Sequence, residues 1–215
     1  MKTIIILSLL TLLTCFSSVA IAQDLISTDT FVGNSPDSVI EDQVVAQFTG
    51  ANTVASITDL GLPSAADIAA LHYVNEATVF FTLKSAAQLD LVTAKAGDVM
   101  QWSSGEITTV VSGAELGLNP ATGIDALTQN GDAIIFSIDV ADVVNGVSVT
   151  DSDLLTWSNG NPTELLLGQS VCGIPSESDL SGVHLMETGH YLMTFSSTTV
   201  IAGTPSLRGD VMRCD

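Results

Sequence analysis

Three aspartates recur at the same place of a repeated sequence pattern, each at the start of a predicted strand: Asp98, Asp153 and Asp210. Together with Asp151 they offer the carboxylate oxygens that Ca²⁺ prefers as ligands. An aspartate at the start of a strand also accepts hydrogen bonds from nearby backbone N–H groups and thereby caps a turn. The sequence therefore supports two interpretations of these residues, a calcium site or a set of structural turn caps.

Two of the three histidines, His72 and His184, stand at equivalent repeat positions, and His190 follows His184 across a turn. Two imidazoles across a hairpin can bind a metal ion. The sequence lacks the His-Glu-x-x-His pattern and the cysteine cluster of zinc sites, however. We therefore keep His72 and His184 as candidates for ligand contact, with packing or hydrogen bonding as the alternative.

The two tryptophans, Trp102 and Trp157, also occupy equivalent repeat positions, and Cys214 stands at that position in the third copy. An exposed indole can stack on a sugar ring, whereas a buried one packs between sheets. Trp102 and Trp157 are thus candidates for glycan contact, and packing between sheets is the alternative.

No arrangement typical of a catalytic centre is visible in the sequence. The Gly-x-Ser-x-Gly turn of serine hydrolases is missing, so catalytic residues stay unassigned. The chain has 24 acidic residues, and a carboxylate pair for glycoside cleavage is an open alternative, because the sequence does not give the separation of two carboxylates.

The acidic residues far outnumber the 5 basic ones and give the chain of 215 residues a formal net charge of −19. This charge excludes nucleic acid as a partner, because every phosphate contact needs a cation. Hydrophobic residues make up 46% of the chain, enough to bury a core, which argues against disorder.

The N-terminus has the pattern of a secretory signal, with Lys2, an apolar run and Ala20-Ile21-Ala22 before Gln23. We expect cleavage near Ala22, which leaves residues 23–215 as one secreted or periplasmic domain without a transmembrane segment. Lipidation at Cys15 is the less favoured alternative. In an oxidising compartment, Cys172 and Cys214 are expected to form a disulfide.

An internal repeat organises the chain. Ile68-Ala69-Ala70-Leu71 is echoed by Ile124-Asp125-Ala126-Leu127, 56 residues later, and again by Leu180-Ser181-Gly182-Val183. The copies cover approximately residues 67–122, 123–178 and 179–215, and residues 42–66 align with the second half of a copy. Each copy contains up to four short apolar strands joined by Gly-containing turns, which predicts a small antiparallel sheet.

Sheets of this kind stack face to face in β-propellers, where each sheet is one blade. We therefore expect an all-β, propeller-like array of about three four-stranded blades, the last one completed by the N-terminal strand. Three blades are few for a propeller, so an open array with a half blade at Val44–Ile57, or a dimer that completes six blades, are alternatives; a β-sandwich is another. Ala65–Leu71 and Ser85–Ala94 are the only helix candidates, and we expect the second to be mainly a connection.

The repeat resembles one found in uncharacterised secreted bacterial proteins that are β-propeller-like. Their pattern is D-[IL]-D-A-[LV]-H, then a turn and an L-[FL]-S-[FV]-D strand, then D-[DE]-D-[IL]-[LV] with a final aromatic residue. The matching residues are Ile124 to Leu127, Asn130 to Asp132, Phe136 to Asp139 and Asp151 to Trp157, and His72 and His184 fall at the histidine of the pattern. The resemblance implies a propeller-like extracellular protein and carries no activity.

Repeat architecture without a catalytic centre favours a secreted, non-enzymatic binding or scaffold module of the periplasm or cell surface. Its expected partner is a glycan or a surface protein, and Ca²⁺ is the one cofactor that the aspartates suggest. An extracellular hydrolase or lyase that acts on carbohydrate is the first alternative. A subunit of an adhesin or surface assembly, recruited through exposed strand edges, is the second.

Overall fold

The computed structural model describes residues 62–63, 66–75, 77–167, 172–208 and 210–214, together with the backbone of five short strands between residues 25 and 56. The predicted signal segment and Cys15 lie outside the described residues. Within the described part of the chain, no helix has the length and apolarity needed to cross a membrane.

The five N-terminal strands are β1 (Leu25–Ser27), β2 (Val32–Gly33), β3 (Val39–Ile40), β4 (Val44–Gln47) and β5 (Asn52–Ser56). Sheet I is three-stranded, in the order β1-β4-β5, and all its neighbours are antiparallel. Strands β2 and β3 form a separate two-stranded hairpin.

The first copy contains β6 (Ile68–Asn75), β7 (Thr78–Leu83), β8 (Ala87–Leu89), β9 (Val92–Ala94), β10 (Val99–Ser103) and β11 (Glu106–Val111). Sheet II has the order β11-β10-β7-β6, and β8 pairs with β9 in a small hairpin. One helical turn, α1 (Gly113–Leu116), follows sheet II. The side chain of Ser112 accepts a hydrogen bond from the N–H of Glu115, and the Glu115 side chain bonds back to the N–H of Ser112, so that a capping box fixes this turn.

The second copy repeats this plan with β12 (Ile124–Asn130), β13 (Ala133–Ile138), β14 (Asp142–Val144), β15 (Val147–Val149), β16 (Leu154–Ser158) and β17 (Glu164–Leu167). Sheet III has the order β12-β13-β16-β17. The last copy contains β18 (Leu180–Leu185), β19 (Tyr191–Phe195), β20 (Thr199–Ile201), β21 (Thr204–Ser206) and β22 (Met212–Cys214). Sheet IV has three strands, in the order β18-β19-β22.

The copies match residue by residue in their strand register. The equivalent pairs between the second and third strands of sheets II, III and IV are Met100 with Phe81, Leu155 with Phe136, and Met212 with Met193. The first strand of each of these sheets also carries a β-bulge at the same place, with Ala69, Asp125 or Ser181 as the extra residue. Each bulge leaves one residue unpaired and redirects its side chain.

Neighbouring sheets pack face to face. Phe136 and Leu155 of sheet III share a buried cluster with Val99 and Val111 of sheet II. On the opposite face of sheet III, Ile135 packs with buried residues of sheet IV. Because alternate residues of a strand point to opposite faces, burial of both faces requires the continuous apolar run seen in β13.

The all-β class and the four-stranded antiparallel sheets are confirmed. The strand pairing differs from our expectation at the ends, because the N-terminal strands form sheet I by themselves and none of the described pairings joins them to β22. Pairing of β4 with β5 closes a short loop, which costs less chain entropy than pairing across the whole chain. The helix candidate Ala65–Leu71 is wrong, because Ile68 to Leu71 lie in β6. Ser85–Ala94 is, as expected, a connection between the second and third strands of sheet II, and it contains the β8–β9 hairpin.

Candidate functional site

The three repeat-equivalent aspartates each close a turn before the third strand of their sheet. Each carboxylate accepts a hydrogen bond from the backbone N–H three residues earlier: Asp98 from Lys95 at 2.9 Å, Asp153 from Thr150 at 2.8 Å and Asp210 from Leu207 at 2.8 Å. In return, the backbone N–H of each aspartate donates to the carbonyl oxygen of that earlier residue: Lys95, Thr150 or Leu207. We call this reciprocal arrangement the aspartate clasp.

The clasps differ in how many further bonds they make. The second carboxylate oxygen of Asp98 accepts the N–H of Gly113 at 2.9 Å, which joins the turn to α1. Asp153 also accepts the hydroxyl of Thr150 at 3.0 Å. Asp98 and Asp153 are buried, whereas Asp210 is exposed. Both carboxylate oxygens of Asp98 and one oxygen each of Asp153 and Asp210 therefore accept hydrogen bonds from the protein itself.

The fourth predicted calcium ligand, Asp151, lies in the turn before β16. Its carbonyl oxygen accepts the N–H of Leu180, at the start of sheet IV, and the hydroxyl of Ser137. Burial and the negative charge of Asp179 raise the pKa of its carboxyl. In the described ranges, no three His, Cys, Asp or Glu side chains are grouped so that they could hold a metal ion. Calcium binding by these four aspartates thus stays a prediction.

The predicted ligand residues His72 and His184 come together through Thr128, which occupies the same repeat position on β12, 56 residues after His72. The Thr128 hydroxyl lies 3.4 Å from Nδ1 of His72 and accepts the N–H of Leu185 at 3.3 Å. Burial lowers the pKa of His72 to about 4, and the charge of His184 acts in the same direction. His72 is therefore neutral near pH 7, and Thr128 connects the first strands of sheets II, III and IV through these two contacts. Ligand contact by His72 and His184 stays a prediction.

The two tryptophans are half-buried: Trp102 packs against the apolar cluster that contains Met100 of sheet II, and Trp157 packs against the cluster shared by sheets II and III. Trp102 stands opposite Val79 and Trp157 opposite Ile134. The indole N–H of Trp102 is buried and has no acceptor among the described residues. Both side chains thus contribute to packing, and glycan stacking on their partly exposed rings stays a prediction.

The structure pairs Cys172 with Cys214, whose Cα atoms are 5.7 Å apart, within the range of a disulfide. Cys172 belongs to the connection between sheets III and IV, and Cys214 is the last residue of β22. The bond therefore fastens the third strand of sheet IV to the segment that precedes this sheet.

A cleft of about 280 Å³ opens between β9, β11 and the turn that follows α1. Its polar wall consists of Thr93, Lys95, Asp98, Thr109, Ser112, Asn119 and Thr122. Several of these groups have partners inside the protein. Asn119 and Thr122 donate to the carboxylate of Asp142, and Thr93 donates to Gln88. Burial acts to raise the pKa of Asp142, but hydrogen bonds from the N–H groups of Asn119 and Val143 outweigh it and lower the pKa overall.

Sequence reasoning missed a pair of carboxyl groups at the boundary between sheets III and IV. Asp125 is the extra residue of the bulge in β12, and Asp179 directly precedes β18, the strand beside β12. Burial and the negative charges of Asp179 and Asp139 raise the pKa of Asp125 to about 9. The signal that could have found the pair is the substitution pattern at the bulge, where Ala69 and Ser181 replace the acid in the other copies.

No protein-family model matches the chain, and no curated protein matches it either. Among solved structures, it is similar to the extracellular domain assigned to a one-component system of B. thetaiotaomicron, with a TM-score of 0.38 and 6% identity over 87% of this chain and 21% of that one. It is also similar to a protein of unknown function from Bacteroides caccae, with a TM-score of 0.34 and 9% identity over 86% of this chain and 57% of that one. The chain thus spans about a fifth of the first structure and just over half of the second.

Proposed function

We propose that this protein is a secreted, non-enzymatic binding or scaffold module that works in the periplasm or at the cell surface. The observation that carries the proposal is the aspartate clasp. The carboxylates that recur in each copy, and that would be the first candidates for chemistry, hold their own turns closed. An acidic, β-rich domain with a cysteine pair at disulfide distance also suits an oxidising compartment.

The geometry of the carboxyl groups supports this proposal over a glycoside hydrolase. A retaining hydrolase holds its two carboxyl groups about 5 Å apart and an inverting one about 6.5–9.5 Å apart, so that a sugar or water fits between them. The cleft beside β9 is lined by one acid, Asp98, and both of its oxygens accept backbone N–H groups.

The proposal is tested with the full chain and a panel of soluble and insoluble polysaccharides, neutral and acidic. We expect no release of reducing ends from any of them. Co-sedimentation with the insoluble polysaccharides measures binding in the same samples, and loss of binding in Trp102→Ala or Trp157→Ala would identify a stacking surface. Release of reducing ends that disappears in Asp125→Asn would overturn the non-enzymatic proposal and restore the hydrolase.

A further inference from the structure

The face of sheet IV that points away from sheet III is equivalent to two faces that are covered inside the chain. Phe80 of sheet II packs against the cluster shared by sheets II and III, and Ile135 of sheet III belongs to the cluster shared by sheets III and IV. Each of them is the centre of a row of three cross-strand neighbours, and the equivalent row crosses sheet IV. The rows are His72, Phe80 and Gln101 in sheet II, Thr128, Ile135 and Thr156 in sheet III, and His184, Leu192 and Arg213 in sheet IV.

The row of sheet IV lies on the side opposite to the core. Met193 and Met212 pack in the cluster shared with sheet III. Because successive side chains of a strand point to opposite faces, their neighbours Leu192 and Arg213 lie on the other face of the sheet. There, His184 and Arg213 are exposed and Leu192 is half-buried. We call this surface the open face; its described residues are Gly182, His184, Leu192, Thr194, Val211 and Arg213.

The residue that follows each clasp aspartate shows the same contrast most clearly. Val99 in sheet II is 0% exposed and Leu154 in sheet III is 1% exposed, and each packs in the cluster shared with the next sheet. Val211, at the equivalent position of sheet IV, is 63% exposed. A position that two sheets bury is thus open to solvent in the third, which is typical of a packing face whose partner is another molecule.

Packing and charge both indicate a second copy of this chain as that partner. The equivalent faces of sheets II and III are each covered by another sheet of the same repeat, so a sheet of this type fits the open face. With a net charge of −19, two copies repel each other over most of their surface. The described residues of the open face include no acid, and Arg213 adds a positive charge that favours the approach of an acidic partner.

We propose that two copies associate through the open face of sheet IV of each copy, in a two-fold symmetric contact that continues the stacking of sheets from one copy into the other. A two-fold contact uses the same surface on both copies and is the commonest arrangement of homo-oligomers. The open face is only three short strands wide, so it buries less than the about 800 Å² per partner of a stable complex. The dimer is therefore weak, with a dissociation constant between about 10 µM and about 1 mM.

The first test is sedimentation velocity of the full chain from about 10 µM to about 1 mM. We expect the mass to rise from one copy to two, and added salt to shift this rise to lower concentration, because salt screens the repulsion between the acidic copies. Val211→Asp places a carboxylate without a partner in the contact and should raise the dissociation constant at least about tenfold. Val143→Asp is the matched control, because Val143 is 56% exposed on the β14–β15 hairpin, outside the open face, and it should leave the dissociation constant unchanged.

A second measurement locates the contact in the unaltered chain and does not depend on how well a variant folds. Amide NMR shifts of Leu192, Thr194 and Arg213 should change with protein concentration, and those of Val143 and Val147 should not. A chain that remains monomeric at about 1 mM would overturn the proposal. Equal weakening by the two aspartate variants, or concentration-dependent shifts confined to another surface, would do the same. Growth beyond two copies would also contradict it, because a contact between two different faces propagates, whereas a two-fold contact closes.

Discussion

Cys214 occupies in sheet IV the position that Trp157 occupies in sheet III: Trp157 stands opposite Ile134, and Cys214 stands opposite Tyr191. A small side chain thus replaces a large aromatic one at the edge of a three-stranded sheet. The packing that an indole provides is lost there, and the bond to Cys172 supplies a covalent attachment in its place.

We expect the double variant Cys172→Ala/Cys214→Ala to lose about 2–4 kcal/mol of unfolding free energy, because the bond closes a loop with a sequence separation of 42 residues. Urea unfolding followed by far-UV circular dichroism measures the loss. Reductant should lower the urea midpoint of the unaltered chain and leave that of the double variant unchanged. If reductant has no effect on the unaltered chain, the bond does not stabilise the fold.

The aspartate clasps should differ in strength according to burial and to the number of hydrogen bonds. Asp98→Ala leaves the N–H groups of Lys95 and Gly113 without their acceptor beside a buried position. We therefore expect it to lower the free energy of unfolding by about 2–3 kcal/mol. Asp210→Ala removes one exposed bond to the N–H of Leu207 and should cost less than about 1 kcal/mol. Urea midpoints of the two variants give the comparison. Equal losses would contradict the ranking.

Much of the fold follows from the repeat. The strands that contain Phe81 and Phe136 lie where the apolar runs predict them, because a strand buried on both faces is apolar along most of its length. The two-stranded hairpins in the connections, such as β8–β9, were missed because strands of three residues carry too little pattern. The helical turn α1 was also missed, although Ser112 and Glu115 give the Ser-x-x-Glu signal of a capping box.

The acidic positions were harder to interpret, because the acid changes sides between copies. Asp67 forms an ion pair with Lys84 at 3.3 Å in one copy. The equivalent pair in the next copy is Gly123 with Asp139, where the acid is on the other strand, and a Cβ on Gly123 would lie 2.7 Å from the Asp139 carboxylate. In the sequence, the acidic residue is present before the first strand in one copy and missing there in the next. In the structure, the same contact recurs in both copies, with the acidic residue before the first strand in one and after the second strand in the other.

Calcium should have little effect on the stability of this chain. Each of the carboxylates of Asp98, Asp153 and Asp210 already accepts a backbone N–H group, and in the described ranges no three His, Cys, Asp or Glu side chains are grouped to hold a metal ion. We therefore expect equal thermal unfolding midpoints in millimolar Ca²⁺ and in chelator. A rise with Ca²⁺ that is absent in Asp153→Asn would establish the calcium site that the sequence suggested.

His72 should destabilise the fold in acid. Its pKa is about 4 in the folded chain and 6.5 for an ordinary histidine, so the unfolded chain binds the proton more tightly. The stability that neutral His72 contributes is complete above pH 6.5 and is lost as the pH falls through about 4.

The imidazole shifts of His72, followed by NMR against pH, measure this directly and should give a midpoint near pH 4. In His184→Asn the midpoint should rise, because one positive charge has been removed, yet stay below 6.5, because the burial that contributes most to the shift is unchanged. His190→Asn is the matched control and should leave the His72 midpoint where it was. A His72 midpoint near 6.5 in the unaltered chain would mean that the ring is solvated and that the first strands of sheets II, III and IV are not joined through Thr128.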